Sequence, residues 1–255
     1  MDVQVLEELL PRGDGSYQRL LIHLPERPRD DVPGVLWLPG VRSAARLPER
    51  DGAIVRQLIG AGDCVVVVPD CRAGGSGTCA TALRDGHRAL LWLRDNARWF
   101  GARTDQIAVG GTGRAGALTA ALTVHARERG EVGVAFQMPL RPEPAPAVRT
   151  SRADDGRRAP RLRLVPPPAE DAALLPPAAG SGGFRGLPPT LTYSGRLDPG
   201  LDETRRYAGE LRSAGVPVRF EVLPDGGRDA DPDLEGRAAG LRLEWFRHAV
   251  RAYFG

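Results

Sequence analysis

The sequence predicts an α/β protein with a mixed, mostly parallel central sheet and helices on both faces. Two alternating apolar segments at the front of the chain flank a glycine turn, a pattern typical of an antiparallel hairpin. Behind them, short apolar runs alternate with longer segments of helical spacing, which indicates strand–helix–strand units and parallel pairing. With 255 residues, 42% of them hydrophobic and 26% charged, the chain is long enough for one large domain with a sizeable core.

The first half of the chain alternates strands and helices. We predict strands at 3–10, 17–24, 34–38 and 64–68. We predict helices at 49–59 and 81–100. The hairpin turn is Gly13-Asp-Gly15, and glycines at 60 and 101 end the two helices, because glycine readily adopts the backbone of a turn or a helix end. The run 64–68 is apolar throughout, as expected of a parallel strand buried on both faces.

The segment from Ile107 to Leu122 is predicted to be a buried strand, a glycine-rich turn and an alanine-rich helix. Such a break is where α/β proteins place either a catalytic nucleophile or a phosphate. The central residue is Gly113, which has no side chain that could act as nucleophile or base. The spacing Gly111-Thr-Gly-Arg-Ala-Gly116 also matches the dinucleotide fingerprint G-x-G-x-x-G. That fingerprint expects a carboxylate at the end of the next strand, and the next predicted strand, 132–138, ends without one.

Prolines are concentrated in the span 139–189, which holds 12 of the 23 in the chain. This density argues against a long regular element, because proline lacks the N–H that helices and sheets use. We predict one domain over 1–255, in which 139–189 is an insertion, either a reduced lid or a partly disordered loop. Regular structure should resume with strands at 190–194 and 218–223 and helices at 203–214 and 241–254.

Composition and charge argue against several classes of function. The net charge is +3, and all 35 basic residues are arginines, scattered among acids without a basic run, so we expect no nucleic-acid binding. No apolar run is long enough to cross a membrane, and the N-terminus does not look like a signal peptide, so we expect a cytoplasmic protein. Cys64, Cys71 and Cys79 form no C-x-x-C pair, and we predict reduced thiols, no metal site and no cofactor.

Three motifs follow one another in the order found in a known family. Val66-Val-Val-Pro-Asp-Cys-Arg72 looks like V-x-V-D-Y-R, and Asp105-Gln-Ile-Ala-Val-Gly-Gly111 looks like D-x-I-x-V-x-G. Gly195-Arg-Leu-Asp-Pro199 looks like the strand end that carries a catalytic acid. With these motifs the chain resembles the α/β-hydrolase fold, and most closely the hormone-sensitive-lipase-like carboxylesterases. The resemblance implies a mostly parallel sheet with an antiparallel N-terminal hairpin and, in this chain, a reduced cap.

The resemblance assigns the family's catalytic positions to specific residues. The family's G-x-S-x-G corresponds to Gly111-Thr-Gly-Arg-Ala115, so Gly113 stands at the nucleophile position, and the neighbouring Thr112 side chain should point elsewhere. Asp198 stands at the retained acid position. The histidine position falls on Arg228, and a guanidinium stays protonated and cannot accept the serine proton.

The oxyanion loop is altered as well, since the family's H-G-G-G corresponds to Pro39-Gly-Val-Arg42. The backbone N–H groups of Gly40, Val41 and Arg114 could still point at an oxygen, and the pocket would include Arg42 and Thr112. Two other interpretations remain open. The first helical turn and Arg114 could hold an anion. Alternatively the changes could be structural, with Gly113 relieving backbone strain and Arg228 pairing with Asp198.

Loss of the triad lowers turnover on the order of a million-fold. The sequence therefore indicates a catalytically degenerate, esterase-like protein that binds a small apolar ligand or a partner. The plant hormone receptors of the same family, which resemble esterases with a lost triad histidine, are a precedent. One alternative is a repurposed non-hydrolytic enzyme of secondary metabolism, of the cyclase or lyase type, whose available polar groups are Asp198, Arg228, Arg42 and Arg114. The other is residual ester hydrolysis through another nucleophile. The oligomeric state is not predicted.

Overall fold

The computed structural model describes residues 3–27, 29–40, 49–71, 79–142, 183–198, 200–223 and 232–253. Within these ranges the strands are β1 (Val3–Pro11), β2 (Tyr17–Pro25), β3 (Val32–Leu38), β4 (Val65–Pro69), β5 (Ala102–Thr112), β6 (Phe136–Leu140), β7 (Thr190–Gly195) and β8 (Val218–Leu223). The helices are α1 (Glu49–Gly62), α2 (Cys79–Asn96), α3 (Arg114–Arg129), α4 (Leu201–Ser213) and α5 (Pro232–Tyr253), with a 3-10 turn at Ala97–Phe100.

The described strands form one eight-stranded sheet in the order β1-β2-β4-β3-β5-β6-β7-β8. β1 and β2 form an antiparallel hairpin, β2 is antiparallel to β4, and the other neighbouring pairs are parallel. The predicted mixed, mostly parallel sheet is therefore confirmed. Because β3, β5, β6 and β7 run in the same direction, their carboxyl ends meet at one edge of the sheet, which is where open α/β sheets bind ligands.

Apolar side chains cover both faces of the sheet. Val65 and Val67 of β4 belong to a cluster with Leu90 of α2 on one face. Val66 and Val68 belong to a cluster with residues of α1 and α5 on the other. This alternation explains the continuous apolar run of β4, since successive strand residues point to opposite faces and both faces are covered by helices.

β6 ends later than predicted, because Pro139 and Leu140 continue the strand instead of opening the insertion. On the side of β5 the pairing is continuous, from Ala108 opposite Phe136 to Thr112 opposite Leu140. The pairing of β6 with β7 is much shorter. Pro139 is tolerated in this strand because the N–H that it lacks would form only one hydrogen bond, to one of the two neighbouring strands.

The predicted insertion is described only at its two ends, since 143–182 lie outside the described residues. At its far end, Phe184 and Leu187 are buried against Tyr207 of α4 and Val124 of α3. These last residues of the span therefore belong to the core. α5 also begins earlier than predicted, at Pro232, because apolar spacing marks the helix only from Leu241 onward.

Candidate active site

The break between β5 and α3 is made at Gly113, whose backbone has φ 61° and ψ −125°. Its N–H donates to the Leu140 carbonyl at 3.0 Å, and its carbonyl accepts from the Ala117 N–H at 3.2 Å. This φ is costly for a residue with a side chain, by roughly 1 to 3 kcal/mol. The turn is therefore an elbow whose conformation would strain a residue with a side chain, and glycine adopts it without that cost.

The other glycines of the G-x-G-x-x-G spacing are explained by close packing of α3 on the sheet. A Cβ placed on Gly111 would lie 2.8 Å from the Ala115 carbonyl oxygen. A Cβ on Gly116 would lie 2.6 Å from the Leu140 carbonyl oxygen. Helix–strand contact accounts for both residues, without a bound phosphate.

The Thr112 side chain points away from the elbow and towards Asp51, which lies near the start of α1. Its hydroxyl donates to Asp51 Oδ1 at 3.2 Å. The same carboxylate accepts the Trp37 indole N–H at 3.3 Å and the Gly40 backbone N–H at 3.0 Å. Asp51 itself is buried. It therefore joins the end of β3 to the end of β5, next to the elbow residue Gly113.

This network changes the expectation for the oxyanion loop. The Gly40 N–H, one of the three that could point at a substrate oxygen, donates to Asp51. Arg114 is exposed on the first turn of α3. Val41 and Arg42 lie outside the described residues, so the loop is defined here only by Gly40.

Asp198 follows β7 at the same edge of the sheet and is held by several donors. Arg141, directly after β6, donates from Nε to Oδ2 at 2.9 Å and from Nη2 to Oδ1 at 2.5 Å. Oδ2 also accepts the Gly195 N–H at 2.5 Å and the Ser194 hydroxyl at 3.1 Å. A fork of this kind is the strongest arrangement for an arginine and a carboxylate.

The Arg141 pair bears on the alternative in which Arg228 pairs with Asp198. Arg228 lies outside the described residues, and the carboxylate is already paired without it. Burial acts to raise the pKa of Asp198, but hydrogen bonds from Arg141 and Gly195 and the arginine charge outweigh burial, so the pKa lies below its ordinary value. Asp198 is therefore ionised and charge-compensated at neutral pH.

All four histidines of the chain lie in described elements, and none belongs to the 224–230 loop. His23 lies in β2, and His87 of α2 contacts His125 of α3 with ring centroids 4.8 Å apart. His248 is exposed on α5 and contacts the Trp245 ring at 4.9 Å. None of these positions corresponds to the histidine position of the resemblance.

The described residues offer no group of three or more His, Cys, Asp or Glu side chains suited to a metal ion. Cys64 and Cys71 are free thiols, and burial raises the pKa of both. No helix in the described part of the chain is long and apolar enough to span a bilayer.

Comparison with known proteins identifies the family. The profile of the alpha/beta hydrolase fold family matches residues 44–228. The chain belongs to the alpha/beta hydrolase fold family. The predicted family and fold are thus confirmed, and the edge of the sheet that carries Gly113 and Asp198 is the edge where this family has its active site.

Known esterases are similar to this chain in sequence and in structure. Carboxylesterase NlhH of Mycobacterium tuberculosis is 27% identical over 217 residues, which cover 80% of this chain and 68% of NlhH. Esterase LipI of the same organism is 30% identical over 189 residues, or 68% of this chain and 57% of LipI. A solved bacterial heroin esterase matches with a TM-score of 0.76 at 25% identity, covering 98% of this chain and 85% of that one.

Asp51 and Arg141 contribute to the site and were not identified from the sequence. Arg141 had a usable signal, because it directly follows an apolar strand and the ends of parallel strands meet at one edge. Because Pro139 was interpreted as the start of an irregular insertion, Arg141 was not recognised as the residue that follows a strand. Asp51 had no such signal, since an acidic residue in a first helical turn is usually a surface residue.

Proposed function

We propose that this protein is a catalytically degenerate alpha/beta hydrolase that binds a small apolar ligand or a partner without hydrolysing esters. One observation carries the proposal: the apex of the elbow is Gly113, whose backbone conformation would strain a residue with a side chain and which has no nucleophilic side chain. Ester hydrolysis in this family requires a serine at that point, activated by a base. Here the histidine position falls on Arg228 as well, so neither nucleophile nor base is supplied.

Two further observations support the proposal. The Asp198 carboxylate is compensated by Arg141, and the Gly40 N–H is donated to Asp51. In a working esterase both groups would have other partners: the carboxylate would orient a histidine, and the N–H would bind an oxyanion. The changes therefore affect several parts of the machinery.

A second candidate function is carboxylester hydrolysis through another nucleophile. The relatives favour it, since NlhH and LipI are a carboxylesterase and an esterase. Among the described hydroxyls near the site, Ser194 donates to Asp198 and Thr112 donates to Asp51. Neither lies at the elbow, which is why we place this function second.

The test uses p-nitrophenyl butyrate both as a substrate and as an apolar probe. The wild-type protein should bind it saturably in calorimetry or ligand-observed NMR and should release no p-nitrophenolate above the buffer rate. Release by the wild type that Asp198→Asn abolishes would overturn the proposal in favour of hydrolysis. Absence of binding as well as release would contradict the small-ligand part and leave a macromolecular partner.

A further inference from the structure

The carboxylate of Asp198 has little remaining capacity to accept hydrogen bonds. Oδ2 accepts from the Gly195 N–H, the Ser194 hydroxyl and Arg141 Nε, and Oδ1 accepts from Arg141 Nη2. An ionised carboxylate offers about four lone-pair positions in total. Two of its four donors come from a single cation.

The backbone of Arg141 holds this arrangement in place. Its φ is 44°, which is uncommon for a residue with a side chain, and its N–H donates to the Tyr193 carbonyl at 2.8 Å. The preceding residue, Leu140, accepts the Gly113 N–H at 3.0 Å. Arg141 therefore directly follows the strand between the elbow and the acid: its own N–H is bonded to β7, and the residue before it is bonded to the elbow.

We propose that Arg141 blocks the acid of the former triad by occupying Asp198 and cancelling its charge. In a working triad the carboxylate orients the histidine and stabilises the imidazolium that forms during catalysis. A carboxylate already paired with a guanidinium cannot do so, because the adjacent cation repels a second one. Arg141 thus acts on the site through its contact with Asp198. The inference rests on the proposed function and adds that restoring serine and histidine alone leaves the site inactive.

The experiment starts from the double variant Gly113→Ser, Arg228→His and adds Arg141→Met or Arg141→Lys. Methionine removes the charge and keeps the length of the side chain, whereas lysine keeps the charge. Hydrolysis of p-nitrophenyl acetate should rise at least about tenfold with Arg141→Met and stay near the double variant with Arg141→Lys, since the acid's role is worth up to about four orders of magnitude. NMR titration of the introduced imidazole should give a higher pKa once Arg141→Met frees the carboxylate.

The matched control is Arg103→Met in the same background. Arg103 also forms a fork with an aspartate, donating to Asp105 at 3.0 and 2.8 Å, but near the start of β5 and away from the elbow. It should change neither turnover nor the imidazole pKa. An imidazole pKa and a turnover that are the same with and without Arg141 would overturn the inference. If the wild type proves to be an esterase, the proposed function fails, while the titration still decides the role of Arg141.

Discussion

At the scale of single residues, the buried Asp51 connects parts of the site that are far apart in the sequence. It is only 2% exposed and accepts hydrogen bonds from Trp37, Gly40 and Thr112. A buried carboxylate is tolerated when donors surround it in this way, and donors that lose it are left unsatisfied. Asp51 should therefore be needed for stability as well as for the shape of the site.

We expect Asp51→Ala to lower the free energy of unfolding by roughly 2 to 4 kcal/mol, because the buried Trp37 indole N–H loses its acceptor. Asp51→Asn should cost less, since one acceptor oxygen remains. Urea denaturation followed by circular dichroism measures both changes.

A matched control is Asp202→Ala, in the first turn of α4. Asp202 also pairs with an arginine, at 3.0 Å from Arg205, but its side chain is 89% exposed. Its removal should cost less than about 1 kcal/mol. Equal losses for Asp51→Ala and Asp202→Ala would show that burial of Asp51 has no energetic importance.

At the scale of elements, the site depends on how closely α3 approaches the ends of β5 and β6. The glycines at 111 and 116 permit this approach, and the elbow between them directs the first turn of α3 at the edge of the sheet. The same spacing in the sequence resembles a dinucleotide fingerprint. Packing and phosphate binding both select glycine for close backbone approach, so the pattern alone does not separate them.

Gly116→Ala should lower the free energy of unfolding by about 1 to 3 kcal/mol, because its Cβ would lie 2.6 Å from the Leu140 carbonyl oxygen and would force α3 outward. Thermal unfolding of the purified variant gives the measurement. The outward shift should also reduce binding of p-nitrophenyl butyrate.

Gly209→Ala in α4 is the control for this substitution. It places the same methyl group within a helix, but no atom lies within 4 Å of its Cβ position. It should raise stability by up to about 1 kcal/mol, since alanine favours helix over glycine. An equal loss of stability in both variants would show that the contact with the Leu140 carbonyl is not what makes Gly116→Ala destabilising.

At the scale of the whole molecule, three of the four histidines are placed so that protonation opposes folding. Burial, aided by the charge of Arg56, lowers the pKa of His23 to about 4. Burial also lowers the pKa values of His87 and His125, and for His87 the neighbouring His125 contributes. The folded state therefore binds fewer protons than the unfolded state below about pH 6.5.

Stability should accordingly be greatest above about pH 6.5 and fall as the pH decreases towards 4, with His23 contributing about 2 to 3 kcal/mol of the loss. Urea midpoints measured between pH 7.5 and 4.5 provide the test. His23→Leu should make the decline shallower, because it removes the buried group whose protonation opposes folding. If His23→Leu had the same pH profile as the wild type, the contribution assigned to His23 would be contradicted.

The sequence predicted much of the fold because its signals are local. The hairpin, the apolar β4 and the strand–turn–helix around Gly113 are each encoded within a few neighbouring residues by apolar period and glycine placement. The predicted ends of strands and helices were wrong where that local signal is weak or misleading. Pro139 signals irregular structure yet belongs to β6, and the early turns of α5 carry few apolar residues.

The sequence by itself determined the order of the elements and the identity of the residue at the elbow. Gly113 follows from the local pattern of β5 and α3, and no tertiary contact can give it a nucleophilic side chain. Only the tertiary structure decided that Arg141 pairs with Asp198 and that Asp51 takes the Gly40 N–H. Arg141 and Asp198 are 57 residues apart. Which of 35 arginines meets a given carboxylate depends on the order and register of the strands, and that is set by the packing of the whole sheet.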